Sequence, residues 1–345
     1  MRYAFPLLPL IVALAVVSAV IFAVGASPTA VLGALWTGSV GTAVKQADTA
    51  VVWVSLALCS AGLLVTFRAG QWHIGMEGQI VLGAIGAVWA SRWFDLETAV
   101  PALVILAMLG TGMVLGMVWG ILIGLLKTYG GVNEIFGGLG FNFIATSLTI
   151  YLISKPWKPA GTSSITGTQL LPDRVWMPTL DGLRVSPISV GLAVLVCVLV
   201  YLALTGTVWG LELKAIGRNP RSAFVMGIPT TRLLLSAYAV AGLCAGLVGA
   251  LLVSAVRHQL VANISAGYGF FSILIVLLAG FRPWLAPLVA LFFAALSIGS
   301  SALRVGLNLD SSLAGVLQGV LVLAYEFVQG LRQKWETHRL RKQVS

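Results

Sequence analysis

Residues 207–232 read TVWGLELKAIGRNPRSAFVMGIPTTR, a charged island between two long apolar runs. The island carries Glu212, Lys214, Arg218, Arg221 and Arg232. Its middle, Ala215-Ile216-Gly217-Arg218-Asn219-Pro220, predicts a helix that stops at Gly217 and a turn at Asn219-Pro220. Ser222 to Gly227 predicts one more short helix before Pro229 breaks it. A short helix–turn–helix on a loop between membrane spans has the shape of a docking element. An ordinary positively charged cytoplasmic loop has the same composition, so the residues alone leave both readings open.

On either side of the island the chain is apolar. It is 59% hydrophobic and 9% charged over 345 residues, with a mean hydropathy of +0.99. Soluble domains carry about a quarter charged residues, which excludes that class. Apolar runs of about 20 residues recur along the length, the mark of helices rather than of a barrel's alternating strands. The expected fold is an all-α polytopic membrane protein, a single transmembrane domain over residues 1–345, with about ten transmembrane helices. The spans are expected near 5–25, 50–67, 80–93, 100–126, 134–154, 188–204, 233–256, 268–280, 283–300 and 311–331. The apolar stretch at the start is longer than the roughly 7–15 residues of a signal core, so it reads as a retained span.

The net charge of +10 is scattered between spans without a basic face, which speaks against nucleic acid. With both termini in the cytoplasm, most Lys and Arg fall on inner segments, among them Arg68, Lys127, Arg282 and the tail RQKWETHRLRKQVS. The outer segments, including a long Pro/Thr/Ser-rich loop from Lys155 to Pro187, dilute their cations with Asp48, Asp95, Asp173 and Asp181. Cys59, Cys197 and Cys244 each lie inside an apolar run and read as packing residues, with no disulfide or metal framework.

Glycines organise the expected packing. Gly112, Gly116, Gly120 and Gly124 line one face of one span, and Gly242, Gly246 and Gly249 line another. Gly315 and Gly319 repeat the device near the end of the chain. Small residues at this spacing let helix backbones approach closely, the main packing means available in lipid.

Two polar stretches stand out. Arg68–Gln79 places Arg68, His73 and Glu77 between apolar runs, with Gly70, Gly75 and Gly78 weakening the helix. Broken helix and ionisable groups at membrane depth persist where they face protein or a water-filled cavity. Glu134, Gly138, Asn142, Ala145 and Thr149 share one helix face, a stripe that packs another helix or lines a path. Phe141 beside Asn142 offers a flat surface next to an amide, a combination suited to a nucleobase or sugar ring.

These stretches also carry a resemblance. LKAIGRNPRSAFVMGI resembles the ATPase-contacting loop of ABC-importer permeases for ribose-type sugars, nucleosides and branched-chain amino acids. GQWHIGMEGQIVLGA resembles the AGxxNIGxEGQ stretch of the sugar and nucleoside branch, with His73 where that pattern has Asn. VNEIFGGLGFNFIA resembles a segment of nucleoside-type members, matching at Asn133, Glu134 and Asn142, and Gly267-Tyr268-Gly269-Phe270 fits a further family segment.

The resemblance implies a type II importer-like permease of two pseudo-symmetric halves in the inner (plasma) membrane. It takes up a nucleoside or simple sugar by alternating access. His73, Glu77, Gln79, Glu134, Phe141, Asn142 and Phe270 would lie along the substrate path. Ala215, Gly217, Arg218, Asn219, Pro220, Ala223 and Gly227, within 207–232, would couple to an ABC ATPase. Further implied partners are a second permease, as homo- or heterodimer, and an extracytoplasmic substrate-binding protein.

The chain has no phosphate-binding loop of its own, so it reads as a transport subunit without cofactor rather than an enzyme, with ATP and Mg in the partner ATPase. A self-sufficient secondary transporter with Arg68, His73, Glu77 and Glu134 as a proton or sodium relay is the alternative, but it has no use for a docking loop. We predict that a cysteine placed by Arg221→Cys reacts with membrane-impermeant reagents only from the cytoplasmic side. Labelling from outside the cell would overturn both the topology and the docking role.

Overall fold

A computed structural model describes residues 8–161 and 167–344. Phe5, where the first predicted span begins, and the centre of the predicted outer loop lie outside the described residues. The helices are α1 (Leu8–Ala23), α2 (Pro28–Val40), α3 (Ala43–Arg68), α4 (Met76–Ser91), α5 (Pro101–Thr128), α6 (Glu134–Ser154), α7 (Pro187–Gly206), α8 (Val208–Arg218), α9 (Pro220–Val225), α10 (Thr230–Leu251), α11 (Tyr268–Leu278), α12 (Ala286–Leu307) and α13 (Ser312–Val344). Ala50–Ala290 forms one compact unit; the two ends of the chain form a second.

The helix starts follow from local chemistry. Pro28, Pro101, Pro187 and Pro220 occupy first turns, where the missing N–H has no partner to lose and φ is preset. Asn133 and Asn219 accept from the N–H of Ile135 (2.9 Å) and Ser222 (3.1 Å), and the Thr207 hydroxyl accepts from Gly210 N–H (3.2 Å).

Seven helices among the described residues are long and apolar enough to cross a membrane, or eight if α1 and α2, bent by 100°, form one broken span. The expected count of about ten is therefore not reproduced. Two of the apolar runs counted as spans fold as short helices, α4 with 16 residues and α11 with 11. At about 1.5 Å per residue they reach about 24 and 16 Å, short of a hydrocarbon core of about 30 Å. The segment Ala26–Thr49, expected as a link between spans, is largely helical in α2 and the start of α3.

In the unit Ala50–Ala290 the core is α4 enclosed by α5, α6 and α10. Every residue of α4 except Trp89 is buried, Glu77 and Gln79 included. The glycine faces predicted from spacing meet here. A methyl added to Gly112 would sit 2.7 Å from Ala250 Cβ and 2.9 Å from the Gly83 carbonyl oxygen. One on Gly83 would sit 2.5 Å from Gly246 Cα, and Gly116 and Gly242 lie backbone on backbone. Gly315 and Gly319 differ: an added methyl meets nothing within 4 Å, so that face packs no helix among the described residues.

Past α10 the helix widens into a π-helical turn, Leu252–Arg257, ending at His258 in the left-handed region (φ 56°). The segment 168–177 lies along it. Thr168, Leu171 and Met177 N–H groups donate to the carbonyls of Leu260 (3.0 Å), His258 (2.8 Å) and Ser254 (2.9 Å). Trp176 stacks on the His258 ring at 3.7 Å, and burial holds that imidazole below its ordinary pKa.

In the other unit, Ile21, Val31, Leu35, Leu303, Leu313 and Leu317 form a small apolar core. A methyl on Gly38 would sit 2.6 Å from Ala302 Cβ, so α2 and α12 also pack through a glycine. The three cysteines are free, with Cys59 and Cys244 buried.

We predict that Gly246→Ala destabilises the purified protein by roughly 1–3 kcal/mol through overpacking. Gly110→Ala should leave its melting temperature unchanged, because an added methyl there meets nothing within 4 Å. Equal melting temperatures for both variants would contradict the seam.

Candidate functional site

The site is built on the break between α3 and α4. Helix α3 ends in a left-handed glycine: Gly70 (φ 73°) donates to the Phe67 carbonyl at 3.0 Å, and Gln71 N–H to the Thr66 carbonyl at 3.0 Å. This pair of bonds is a Schellman stop, and it satisfies carbonyls that would otherwise lie bare. The chain then runs non-helically through His73 to Gly75, as the three glycines of the sequence led one to expect.

Helix α4 starts at a residue that cannot cap it, because Gly75 has no side chain. The missing acceptor comes from α6. Asn142 Oδ1 accepts from Gly78 N–H at 2.8 Å, and Asn142 Nδ2 donates to the Ile74 carbonyl at 3.0 Å. The close approach needs glycines on both sides: a methyl on Gly138 would sit 2.7 Å from Gly75 N, and one on Gly78 would sit 3.0 Å from Asn142 Oδ1. The stripe Gly138, Asn142, Ala145 and Thr149 lies on the buried face of α6, against the start of α4.

The same device recurs at α11. Its cap position is Gly267, and the acceptor is Glu77 of α4. Glu77 Oε1 accepts from Gly269 N–H at 2.7 Å and Phe270 N–H at 3.2 Å. A carboxylate at a helix N-terminus also meets the positive end of the helix dipole.

His73 is fully buried, its ring edge-on to Tyr238 at 5.0 Å between centroids. Gln79 is equally buried, with its amide beside α5: a methyl on Gly120 would sit 2.8 Å from Gln79 Nε2. His73, Glu77, Gln79 and Asn142 are thus gathered around the start of α4. Glu134 is engaged elsewhere, in a 2.6 Å ion pair with Lys127 that ties the end of α5 to the start of α6. Phe141 lies against Trp119 at 4.9 Å, and Phe270 alone among the predicted path residues is open, at 46% exposure. Sequence reasoning passed over Tyr238 and Trp119. Their only signal was a large polar-tipped ring in helices otherwise built from small and aliphatic residues.

The second part of the site is the charged island. It folds as α8, a corner at Asn219, and α9. Leu213, Ile216 and Ala223 are buried, and Trp209 Nε1 donates to Ser236 Oγ of α10 at 2.9 Å. Arg218, Asn219, Pro220 and Arg221 are exposed. Helix α9 ends in a second Schellman stop: Gly227 (φ 83°) donates to Phe224 and Ile228 to Ala223. That accounts for the Gly-Ile pair of the sequence.

Of the predicted coupling residues, Ala223 faces the protein's own core and Ala215 is half-buried, so neither forms the outer surface. The outer surface is instead an apolar tip, Phe224, Val225 and Met226, at 70%, 84% and 70% exposure. Three consecutive exposed apolar residues thus stand between Arg221 and Arg232. They were visible in the sequence as an apolar triplet on a charged loop.

Residues 46–325 match the family described as branched-chain amino acid transport system / permease component. The chain is 27% identical over 334 residues to the glucose ABC transporter permease protein TsgB13 of Haloferax volcanii, covering 94% of this chain and 87% of that one. It is 26% identical to the guanosine ABC transporter permease protein NupP of Bacillus subtilis, over 95% and 96% of the two chains. The nucleoside ABC transporter permease protein NupB of Lactococcus lactis is 26% identical over 86% and 83%.

Asn142→Leu leaves the Gly78 N–H and the Ile74 carbonyl without partners, a cost of about 1–3 kcal/mol for each buried group orphaned. We predict a lower melting temperature and faster amide exchange at Gly78. Wild-type values for both would show that Asn142 does not hold the start of α4.

Proposed function

Because the chain belongs to the branched-chain amino acid transport system / permease component family, we propose that it is the membrane-spanning permease subunit of an ATP-binding-cassette importer, taking up a nucleoside or simple sugar. The observation that carries this reading is the α8–α9 element. It projects an apolar tip flanked by arginines and is anchored through Trp209, as a docking element for a soluble partner requires. In this reading the partner is an ABC ATPase holding ATP and Mg, and the tip seats in a groove of that subunit. Residues 207–232 face the cytoplasm, both termini lie on the same side, and 155–187 faces outward, where a substrate-binding protein delivers the solute.

A sister permease completes the pore. Two guanosine permeases of one organism, NupP and NupQ, both resemble this chain, which supports a heterodimer. Nucleoside is the favoured solute, on the strength of the guanosine and nucleoside relatives and of Phe270, an exposed ring at the start of α11. Asn142 no longer argues for base recognition, because its amide is engaged in capping α4. ATP-driven closure of the ATPases would shift the docking element and open the bundle inward. That is alternating access, with small displacements amplified by packed helices that are bistable rather than compliant.

Reconstituted with its ATPase, sister permease and binding protein, the chain should take up labelled guanosine only when ATP and Mg are supplied. Val225→Asp should reduce co-purification of the ATPase by at least about tenfold, the effect of some 1.4 kcal/mol at the interface. Guanosine uptake by the chain alone under a proton or sodium gradient would refute the proposal.

A further inference from the structure

The docking element meets the α3–α4 link through a contact made without any side chain. Gly217, in the last turn of α8, lies on the α3–α4 link. A methyl on Gly217 would meet the Arg68 carbonyl oxygen and sit 3.0 Å from Gly70 N; a methyl on Gly70 would sit 3.1 Å from Gly217 Cα and 3.2 Å from its carbonyl oxygen. Gly70 is also held in the left-handed region by the Schellman stop of α3. Around this point Ala69, Leu213 and Ile216 are fully buried. Two backbones in van der Waals contact transmit displacement with little slack, whereas long side chains at an interface absorb it by changing rotamer.

The link leads from Gly70 to a set of fixed ties. Four to eight residues on, Asn142 grips the Ile74 carbonyl and the Gly78 N–H, and Glu77 grips the first amides of α11. A push on Gly70 therefore reaches α4, α6 and α11 together. The covalent junctions of the docking element lead instead to α7 through Gly206 and to α10 through Pro229.

We propose that the Gly70–Gly217 contact makes the Arg68–Gly75 link a transmission strap, delivering movement of the docking element to the start of α4, with Gly70 as a positioning residue. The inference rests on the reading of 207–232 as the ATPase-docking element. Without side chains at the contact, neither glycine can be replaced without separating the two backbones.

The test uses the reconstituted transporter and the ratio of ATP hydrolysed to guanosine taken up. Gly70→Asn is the informative variant, because Asn tolerates positive φ while its Cβ would press on Gly217 Cα at 3.1 Å and push the two backbones apart. It should capture the ATPase as wild type does, while the ratio rises at least about fivefold, the low end of an ordinary coupling free energy. Gly131→Asn is the control for conformation, since Gly131 also has positive φ (64°) but an added methyl there meets nothing within 4 Å. Gly86→Ala is the control for packing, its methyl falling 2.9 Å from the Thr111 carbonyl oxygen; it should lower yield without moving the ratio.

A wild-type ratio in Gly70→Asn, an equal rise in either control, or loss of ATPase capture with Gly70→Asn would each overturn the strap. If the wild-type chain captures no ATPase, the docking reading fails instead, and the contact is still read in the purified permease. There Gly217→Ala should speed amide exchange at Gly78, Gly269 and Phe270 but not within α10. Unchanged exchange at those amides would overturn the strap independently.

Discussion

A helix that begins inside a membrane presents amides that no water can reach. The central unit depends on how that constraint is met twice. Helices α4 and α11 are short, and each begins at a glycine with no side chain to cap it. Each borrows its acceptor from another helix: Asn142 of α6 for α4, and Glu77 of α4 for α11. The glycines admit the visitor, since a methyl on Gly78 or Gly269 would sit 3.0 Å from Asn142 Oδ1 or 3.1 Å from Glu77 Oε1. Remove the borrowed acceptors and neither short helix has a reason to start where it does.

The second constraint is distance. Helices α4, α5 and α10 approach so closely that backbone atoms replace side chains in the contact, with glycine at both faces. Lipid tails are as apolar as leucine, so burying apolar side chains gains little there, and close van der Waals contact takes over. Cores of this kind are rigid and tend to shift as units. The α8–α9 element is joined to this core by the same device, glycine on glycine at 70 and 217.

Much of this was legible in residue order. The helix–turn–helix of 207–232, the broken segment after Arg68 and the buried stripe on α6 all appear where glycine, proline and spacing placed them. The span count was less legible: an apolar run of 16 residues looks much like one of 20 until it is seen whether the run is enclosed by protein or by lipid. The roles of Asn142, Glu77 and Glu134 were not legible either. A polar residue within an apolar helix signals that something polar faces it. Whether that partner is a solute, another helix's first amide or Lys127 is a matter of three-dimensional neighbours. The Gly315 and Gly319 pair shows the converse: identical spacing to Gly112 and Gly116, yet no helix of the described chain against it.

The sequence by itself determined the class of protein, most of its helical elements and the charged, turn-bearing island at 207–232. Those properties depend on local backbone geometry and on transfer from water to hydrocarbon, both of which act residue by residue. Only the tertiary structure decided which helices stop short of spanning, which side chains cap them, and that Gly217 touches Gly70. Those are contacts between segments far apart in the chain, and burial and hydrogen bonding select among them only once the bundle has closed.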